Sequence, residues 1–393
     1  MTLLGKERDS MLKLACTPLT QIGDGAIDFV AEALDELDAR KVFLVVDREA
    51  YACSGAAQAV ESALAHRGVT RFDRFHSNPL LSDVEEGLKH CRADRFDTIL
   101  AIGGGSAVDM GKMLSIFARQ EDTPRTILRD GGCMEHPALP MVAVPTTAGT
   151  GSEATHFAAV WNNHAKFSVA HASMLPDYAA VDPRLTYSLP PEITASTGLD
   201  ALCQAVESLW SVGATQQSCD FALRAVELIM AHLQDAVHRP TPAARRAMSE
   251  AAHLSGRAIN ISKTTASHAI SYTLTAHFGV PHGMAAAMTL APMLAYNAEV
   301  SDRDCLDPRG PAQCCERIHH LITLLGCADV EEAQARLVDL LEEVGCPRRL
   351  SEIGIRDRQQ RRFVAERVNQ ERLANNPRAL DIDAVLELLE QIR

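Results

Sequence analysis

Three stretches in the first half of the chain are apolar almost without interruption and end in polar or glycine residues: KVFLVVD (41–47), DTILAIGGG (97–105) and MVAVPTT (141–147). Such runs suit parallel strands buried on both faces, which have no solvent side to be polar. Between them, AAQAVESALAHRG (56–68) and LSDVEEGLKHCRAD (81–94) space their apolar residues at helical intervals. Strand, helix and strand in succession predict an open α/β sheet. Past residue 190 the pattern changes. Pro190-Pro191 open the segment PPEITASTGLDALCQAVESLW, and long amphipathic patterns follow, SCDFALRAVELIMAHLQDAV and VEEAQARLVDLLEEVG among them. The patterning predicts an α/β domain over residues 1–190 and an all-α domain over residues 191–393, with a cleft between them.

A chain of 393 residues is long enough for two such cores. The net charge of −13 and an aromatic content of only 5% argue against a nucleic-acid partner, which needs cationic surface and stacking platforms. The stretch MTLLGKERDSMLKL lacks the apolar core of a signal peptide, and no later run has membrane-spanning length. A cytoplasmic protein with no membrane partner is expected. The 11 cysteines form no CxxC pair and read as reduced, mostly buried thiols.

Chemistry enters with GGGSAVDMGK (103–112), which follows a predicted strand and opens a predicted helix. Gly103, Gly104 and Gly105 let backbone approach a pyrophosphate, and the helix N-terminus offers free amides. Ser106 is expected to cap that helix and Asp109 to sit in its first turn; the same glycines would equally serve a plain structural corner. A second element, PTTAGTGSEAT (145–155), places the hydroxyls of Thr146, Thr147, Thr150 and Ser152 beside glycines, as a phosphate or ribose site would. Asp47 ends the first strand, where a carboxylate takes the adenosine ribose hydroxyls and favours NAD over NADP. Neighbouring Arg48 keeps NADP open, and a merely solvated strand-end aspartate is the plainer reading. Asn78 and Lys166 complete the candidate cofactor set.

In the second half, Asp200 lies in STGLDALCQAVES, His268 in SKTTASHAISY, and His282 in FGVPHGMAAAM after Gly279 and Pro281. One carboxylate and two imidazoles make a mixed oxygen and nitrogen site for Fe²⁺ or Zn²⁺. With 15 histidines in the chain, the pairing of two proves nothing alone.

From about residue 15 to the end, the chain resembles the iron-containing (group III) alcohol dehydrogenase family. GGGSAVDMGK, PTTAGTGSE, VDPRLTYSLPPEITASTGLDAL, the spacing from His268 to His282, and NNPRAL near the C-terminus carry the resemblance. It implies a Rossmann-like N-terminal domain, a helical metal-binding C-terminal domain as in dehydroquinate synthase-like proteins, one divalent metal and a homodimer. Asp200, His268 and His282 match three of the family's usual ligands. Where the family places a fourth, a histidine one helical turn after the aspartate, this chain has Gln204, on the same helix face as Asp200. Its carbonyl would ligate weakly or hold a metal-bound water. Tyr272 stands where many members carry a histidine near the nicotinamide, and would inherit a proton relay or close the pocket.

The family usually carries a small, glycine-rich stretch before His268. This chain has Arg257 and then NISKTTASH, with Lys263, Thr264, Thr265 and Ser267. A cation, hydroxyls and helix amides together make an anion site, whereas a solvent lysine before a helix cap is the bland alternative. Within the family, SKTTASHAISY looks most like the phosphonoacetaldehyde reductases of phosphonate natural-product and antibiotic pathways. That likeness implies NAD(P)H-dependent reduction of a small anionic aldehyde, phosphonoacetaldehyde to 2-hydroxyethylphosphonate. Lys263, Arg257 and Thr264 would bind its tail, and Tyr272 would serve the proton. A dehydrogenase of a neutral alcohol or diol, a dehydroquinate-synthase-like lyase with internal NAD redox, and a non-catalytic relative are the rival readings.

Overall fold

The structure, a computed structural model, describes residues 17–130, 134–163 and 165–393. The N-terminal stretch examined for a signal sequence lies outside the described residues. Contacts divide the chain into two compact units, one running to Thr147 and including Gly151–Ser188, the other comprising Ala148–Thr150 and Leu189–Arg393.

The first unit is built on a parallel six-stranded sheet of order β1-β8-β5-β4-β2-β3. Its strands are β1 (Leu19–Ile22), β2 (Lys41–Val46), β3 (Gly68–Phe72), β4 (Thr98–Gly103), β5 (Met141–Pro145) and β8 (Tyr178–Val181). An antiparallel hairpin of β6 (Phe157–Asn162) and β7 (Ala165–Ala170) stands apart from the sheet. The apolar runs are buried on both faces because alternate residues enter different cores. Val42, Leu44 and Val46 pack with Leu100, Ile102, Val142 and Val144 against helix α1 (Phe29–Glu36). Phe43, Val45, Ile99, Ala101 and Met141 pack on the opposite face against α2 (Leu81–Ala93) and α3 (Gly105–Phe117).

Two sequence expectations change here. The segment 56–68 forms two short helices, Ala56–Ala59 and Glu61–Leu64, and its last residue opens β3. Strands β1 and β3 went unpredicted because they are the mostly exposed edges of the sheet and carry no apolar run.

The second unit is helical: α4 (Pro191–Trp210), α5 (Gln216–His238), α6 (Pro242–Ser262), α7 (Ala266–Phe278), α8 (His282–Ala287), α9 (Leu290–Ala298), α10 (Pro311–Leu324), α11 (Val330–Glu343) and α12 (Ile382–Gln391). Helix α4 starts with Pro191 at its first position, where the missing N–H is harmless. From Gly198 to Trp210 every residue of α4 is buried, so it forms the axis around which α5, α6 and α8 pack. Gly279, at φ +70°, ends α7, and Pro281 caps α8. Among the described residues, no helix is long and apolar enough to cross a membrane.

Candidate active site

In the first unit β3 lies on one side of β2 and β4 on the other, so the strand order reverses between β2 and β4. Ligands of open α/β sheets bind outside the carboxyl ends of the strands at such a point. Asp47, the Gly103–Gly105 turn and Thr146 meet there. The Asp47 N–H donates to the Ile102 carbonyl at 3.1 Å, and the Thr146 N–H to the Gly103 carbonyl at 2.9 Å. Gly103, at φ +155°, has no room for a side chain: a Cβ would lie 2.6 Å from that of Ala107 and 2.9 Å from that of Asp47. The amides of Gly105 and Ser106 open α3 without intrahelical acceptors, as an anion site requires. Thr146 Oγ1 is buried with no hydrogen-bond partner among the described residues, a polar atom that a ligand would satisfy.

Several predicted cofactor residues have other work. Gly104, not Ser106, caps α3; the Ser106 hydroxyl donates to the Ser77 carbonyl, beside exposed Asn78. Asp109 lies beyond the first turn of α3. It accepts from Ser152 Oγ at 2.5 Å and from the Ala159 N–H at 2.8 Å, so Asp109 and Ser152 hold the turn at 151–155 against the helix. Lys112, overlooked in the sequence, completes this knot. It is wholly buried and donates to Ser152, Thr155 and the Phe157 carbonyl at 2.8–2.9 Å. Burial pushes its ammonium down to about 8 against the opposing pull of Asp109 and Glu153. Asp47 caps the helix Arg48–Cys53 through Oδ1, 2.8 Å from the Ala50 N–H, and Arg48 pairs with Asp73 at 3.2 Å. Lys166 lies 6.0 Å from the Trp161 ring centre, and Trp161 donates to the Pro79 carbonyl, which places Lys166 and Asn78 on adjoining segments. Thr147 lines the Gly104 turn, whereas Thr150 belongs to the second unit.

In the second unit Asp200, Gln204 and Glu207 line one face of α4, at the i, i+4, i+7 spacing of a helix. His268 enters from the first turn of α7 and His282 from the first residue of α8. Ligand atoms of Asp200, His268 and His282 all lie within 4.8 Å of one another. His268 Nε2 is 3.2 Å from Asp200 Oδ1, and its Nδ1 is bonded to Glu207 Oε2. Glu207 also accepts from Thr265 Oγ1 at 2.8 Å and from the His268 N–H at 3.3 Å, and Trp210 Nε1 donates to Thr265 at 3.1 Å. On the other side, Ser271 Oγ donates to the His268 carbonyl at 2.7 Å and meets His282 Nδ1 at 3.3 Å. With the serine proton engaged, a hydrogen on His282 Nδ1 would satisfy this contact and leave the Nε2 lone pair for a metal. Tyr272 stacks on His282, centroids 5.7 Å apart and planes at 18°.

This donor set fits a divalent metal. Burial disfavours a charged His268, yet Glu207 and Asp200 flank the ring and hold it up to about 10. Two buried carboxylates therefore demand positive charge at this point, and an oxygen and two oriented imidazoles are its natural ligands. Gln204 departs from the expected ligand role. Its Nε2 donates to Asp200 Oδ2 at 3.1 Å, while its carbonyl accepts from Ser255 Oγ at 3.1 Å. The amide thus orients Asp200 rather than presenting its oxygen to a metal. Sequence reasoning missed Glu207, Ser255 and Ser271, and it read Thr265 as an anion-site hydroxyl where the structure has it donate to Glu207. Of those missed, only Glu207 left a signal, a second carboxylate two turns after Asp200 in a mostly apolar stretch.

Lys263 follows α6, exposed, and its ammonium has no hydrogen-bond or ion-pair partner among the described residues. Thr264 is half-buried beside it, and Ser267, in the first turn of α7, has a buried hydroxyl with no partner among the described residues. Arg257 has a packing contact of its own, and its Nε is buried with no hydrogen-bond partner among the described residues. Its guanidinium lies 4.0 Å from the Phe221 ring centre, so it packs on α5, on a different face of α6 from Ser255 and Ser262, which meet α4.

Comparison with known proteins places the chain in a family. The model of the iron-containing alcohol dehydrogenases matches residues 18–183, and the model of the C-terminal domain of the same family matches residues 194–393. Phosphonoacetaldehyde reductase of Streptomyces viridochromogenes is 37% identical over 80% of this chain and 81% of its own length. Long-chain-alcohol dehydrogenase 1 of Geobacillus thermodenitrificans is 31% identical over 96% of each chain. The crystal structure of sulfoacetaldehyde reductase from Bifidobacterium kashiwanohense in complex with NAD⁺ is similar at a TM-score of 0.86 and 29% identity, covering 96% of this chain and 97% of that one.

Proposed function

The chain belongs to the iron-containing alcohol dehydrogenase family, an oxidoreductase family, and from that premise we propose that it reduces a small anionic aldehyde with NAD(P)H, phosphonoacetaldehyde to 2-hydroxyethylphosphonate in particular. The observation that carries the reading is Lys263, exposed and without a partner among the described residues, which with Thr264 and the start of α7 stands within five residues of His268. A phosphonate or sulfonate tail is what an ammonium, hydroxyls and helix amides recognise together. Two of the relatives above are named for aldehydes with such tails.

Asp200, His268 and His282 would hold Fe²⁺ or Zn²⁺, with Gln204, Glu207 and Ser271 fixing the orientation of those three side chains. The first unit would bind the dinucleotide through Asp47, the Gly103–Gly105 turn, Thr146 and Thr147, with Asn78 and Lys166 on adjoining segments. When bound, the metal supplies Lewis-acid polarisation of a carbonyl oxygen and the dihydronicotinamide supplies hydride. Lys263 anchors the anionic tail, converting charge attraction into orientation of the aldehyde. Tyr272 holds the plane of the His282 ring by stacking.

The test follows NADH oxidation at 340 nm by metal-loaded protein, with phosphonoacetaldehyde beside propionaldehyde, in the natural chain and in Lys263→Ala. The reading expects the substitution to raise KM for the phosphonate at least about tenfold, the worth of one charge-assisted hydrogen bond, and to spare propionaldehyde. Equal effects on both would remove Lys263 from the substrate site. Equal rates in the natural chain would instead favour a neutral alcohol, the reading that the Geobacillus relative's name suggests.

A further inference from the structure

Lys263 is held in a conformation that lysine does not choose. Its φ of 60° and ψ of 174° fall in a region that is essentially glycine's alone, because a Cβ there crowds the neighbouring peptide. Such a residue persists only where its surroundings over-determine it. Here the surroundings are specific. The two carbonyls that bracket residue 263, those of Ser262 and Thr264, are both taken by the side-chain amide of Asn375, each at 2.9 Å. The amide oxygen of Asn375 accepts from the Gly213 N–H at 3.1 Å, so both its donors and its acceptor oxygen are engaged and it cannot rotate without losing bonds. Ser211 Oγ adds a second donor to the Ser262 carbonyl at 3.2 Å, and the Lys263 N–H donates back to Ile259 at 2.9 Å. Asn375 itself is fixed through its own backbone carbonyl, which accepts from the Val212 N–H at 3.0 Å.

A lysine needed only for solubility would not sit in a strained position clamped on both sides. We propose that Asn375, in the C-terminal NNPRAL segment, is a positioning residue for substrate selectivity: by gripping the peptides on both sides of residue 263, it holds Lys263 where an anionic aldehyde meets it. The proposal rests on the reading of Lys263 as the anion anchor. Asn375 touches no substrate and acts through the backbone. Its loss is therefore expected in the binding of charged substrates and not in turnover. The clamp also accounts for a lysine where a glycine would be at ease, since the glycine would carry no charge.

The experiment uses metal-loaded protein with NADH and compares Asn375→Ala, Lys263→Ala, Lys263→Gly and the double variant Lys263→Ala/Asn375→Ala on phosphonoacetaldehyde and propionaldehyde. Asn375→Ala is expected to raise KM for the phosphonate about tenfold, on the scale of one charge-assisted hydrogen bond, with kcat and the propionaldehyde constants nearly unchanged. In the Lys263→Ala background it is expected to add nothing further to that KM. Independently of substrate, Lys263→Gly is expected to raise the unfolding midpoint by roughly 2–4 °C as the strain is relieved. If Lys263→Ala leaves the charged and neutral substrates equally affected, the anchor reading falls. If Lys263→Ala is selective and Asn375→Ala is not, the anchor stands and the clamp is overturned. A midpoint that does not rise in Lys263→Gly also overturns the clamp, and decides the matter even if Asn375→Ala does not fold.

Discussion

Glu207 is a buried carboxylate bonded to His268 and Thr265, and Glu207→Gln isolates its charge. The side chain is fully buried and accepts three hydrogen bonds, from His268 Nδ1, the His268 N–H and Thr265 Oγ1. Glutamine keeps the shape but offers one acceptor and an NH₂ that faces donors. Whichever way the amide turns, at least one donor is left without a partner. Replacing a charge-assisted bond to Nδ1 by a neutral one costs about 1 kcal/mol, and the orphaned donor costs about 1–2 kcal/mol more. The sum, about 2–3 kcal/mol, corresponds to a loss of roughly 30–150-fold in an equilibrium constant, and falls on metal binding to the extent that Glu207 orients His268. Loss of an orienting partner behind a metal-bound histidine falls in a similar range, about 10–100-fold. The assay is competition of the apoprotein against a chelating dye for Zn²⁺, and for Fe²⁺ under anaerobic conditions. Affinity within about threefold of the natural chain, less than 1 kcal/mol, would refute the reasoning that Glu207 orients a metal ligand.

Three other substitutions probe different parts of the fold. Gln204→Leu removes the donor to Asp200 and the acceptor from Ser255; apoprotein stability in chelator is expected to fall by about 1–3 kcal/mol in urea unfolding, and an unchanged midpoint would show that the amide is dispensable. Gly283→Ala would place a Cβ 1.9 Å from the Ser196 carbonyl and 2.8 Å from Asp200 Cβ. It is expected to cost at least the upper part of the ~1–3 kcal/mol range for overpacking, and to weaken Zn²⁺ binding because His282 moves with α8; a variant with normal stability and binding would contradict the close packing of α8 on α4. Lys112 links stability to pH. Its folded pKa of about 8 lies below the unfolded 10.5, so the unfolded chain binds more protons between those values and the natural protein gains stability as pH rises through that window. The gain is on the order of 3 kcal/mol, and Lys112→Met should lack it. Urea unfolding at pH 7.5 and 10.5 measures it, and an equal difference between the two proteins at both pH values would place the titration elsewhere.

The central strands were legible because burial on both faces leaves an unbroken apolar run, and β2, β4 and β5 lie where those runs stand. The helices of the second unit were legible from their period, α5 and α11 especially. Edge strands β1 and β3 were not, because a strand with little buried surface leaves no hydrophobic mark. The candidate metal ligands could be named from residue type, spacing and family likeness, and the structure brings the three together: Asp200 begins one buried helical face, and Gly279 and Pro281 set up the turn that delivers His282.

What a side chain does with its hydrogen bonds was decided by tertiary structure alone. Asp109 and Ser152 looked like cofactor ligands in the chain, but they bond to each other and, through Ser152, to Lys112, because a buried ammonium must find its acceptors among whatever packs around it. Arg257 was proposed from the chain as a second anchor, and only the tertiary structure shows that its guanidinium packs on Phe221 of α5. Gln204 holds Asp200, Glu207 holds His268, and Asn375 reaches more than a hundred residues back to grip both sides of Lys263. Local pattern determines which residues are buried and on which element. Which polar partner each one meets depends on how distant elements dock, and a one-dimensional pattern carries no record of that.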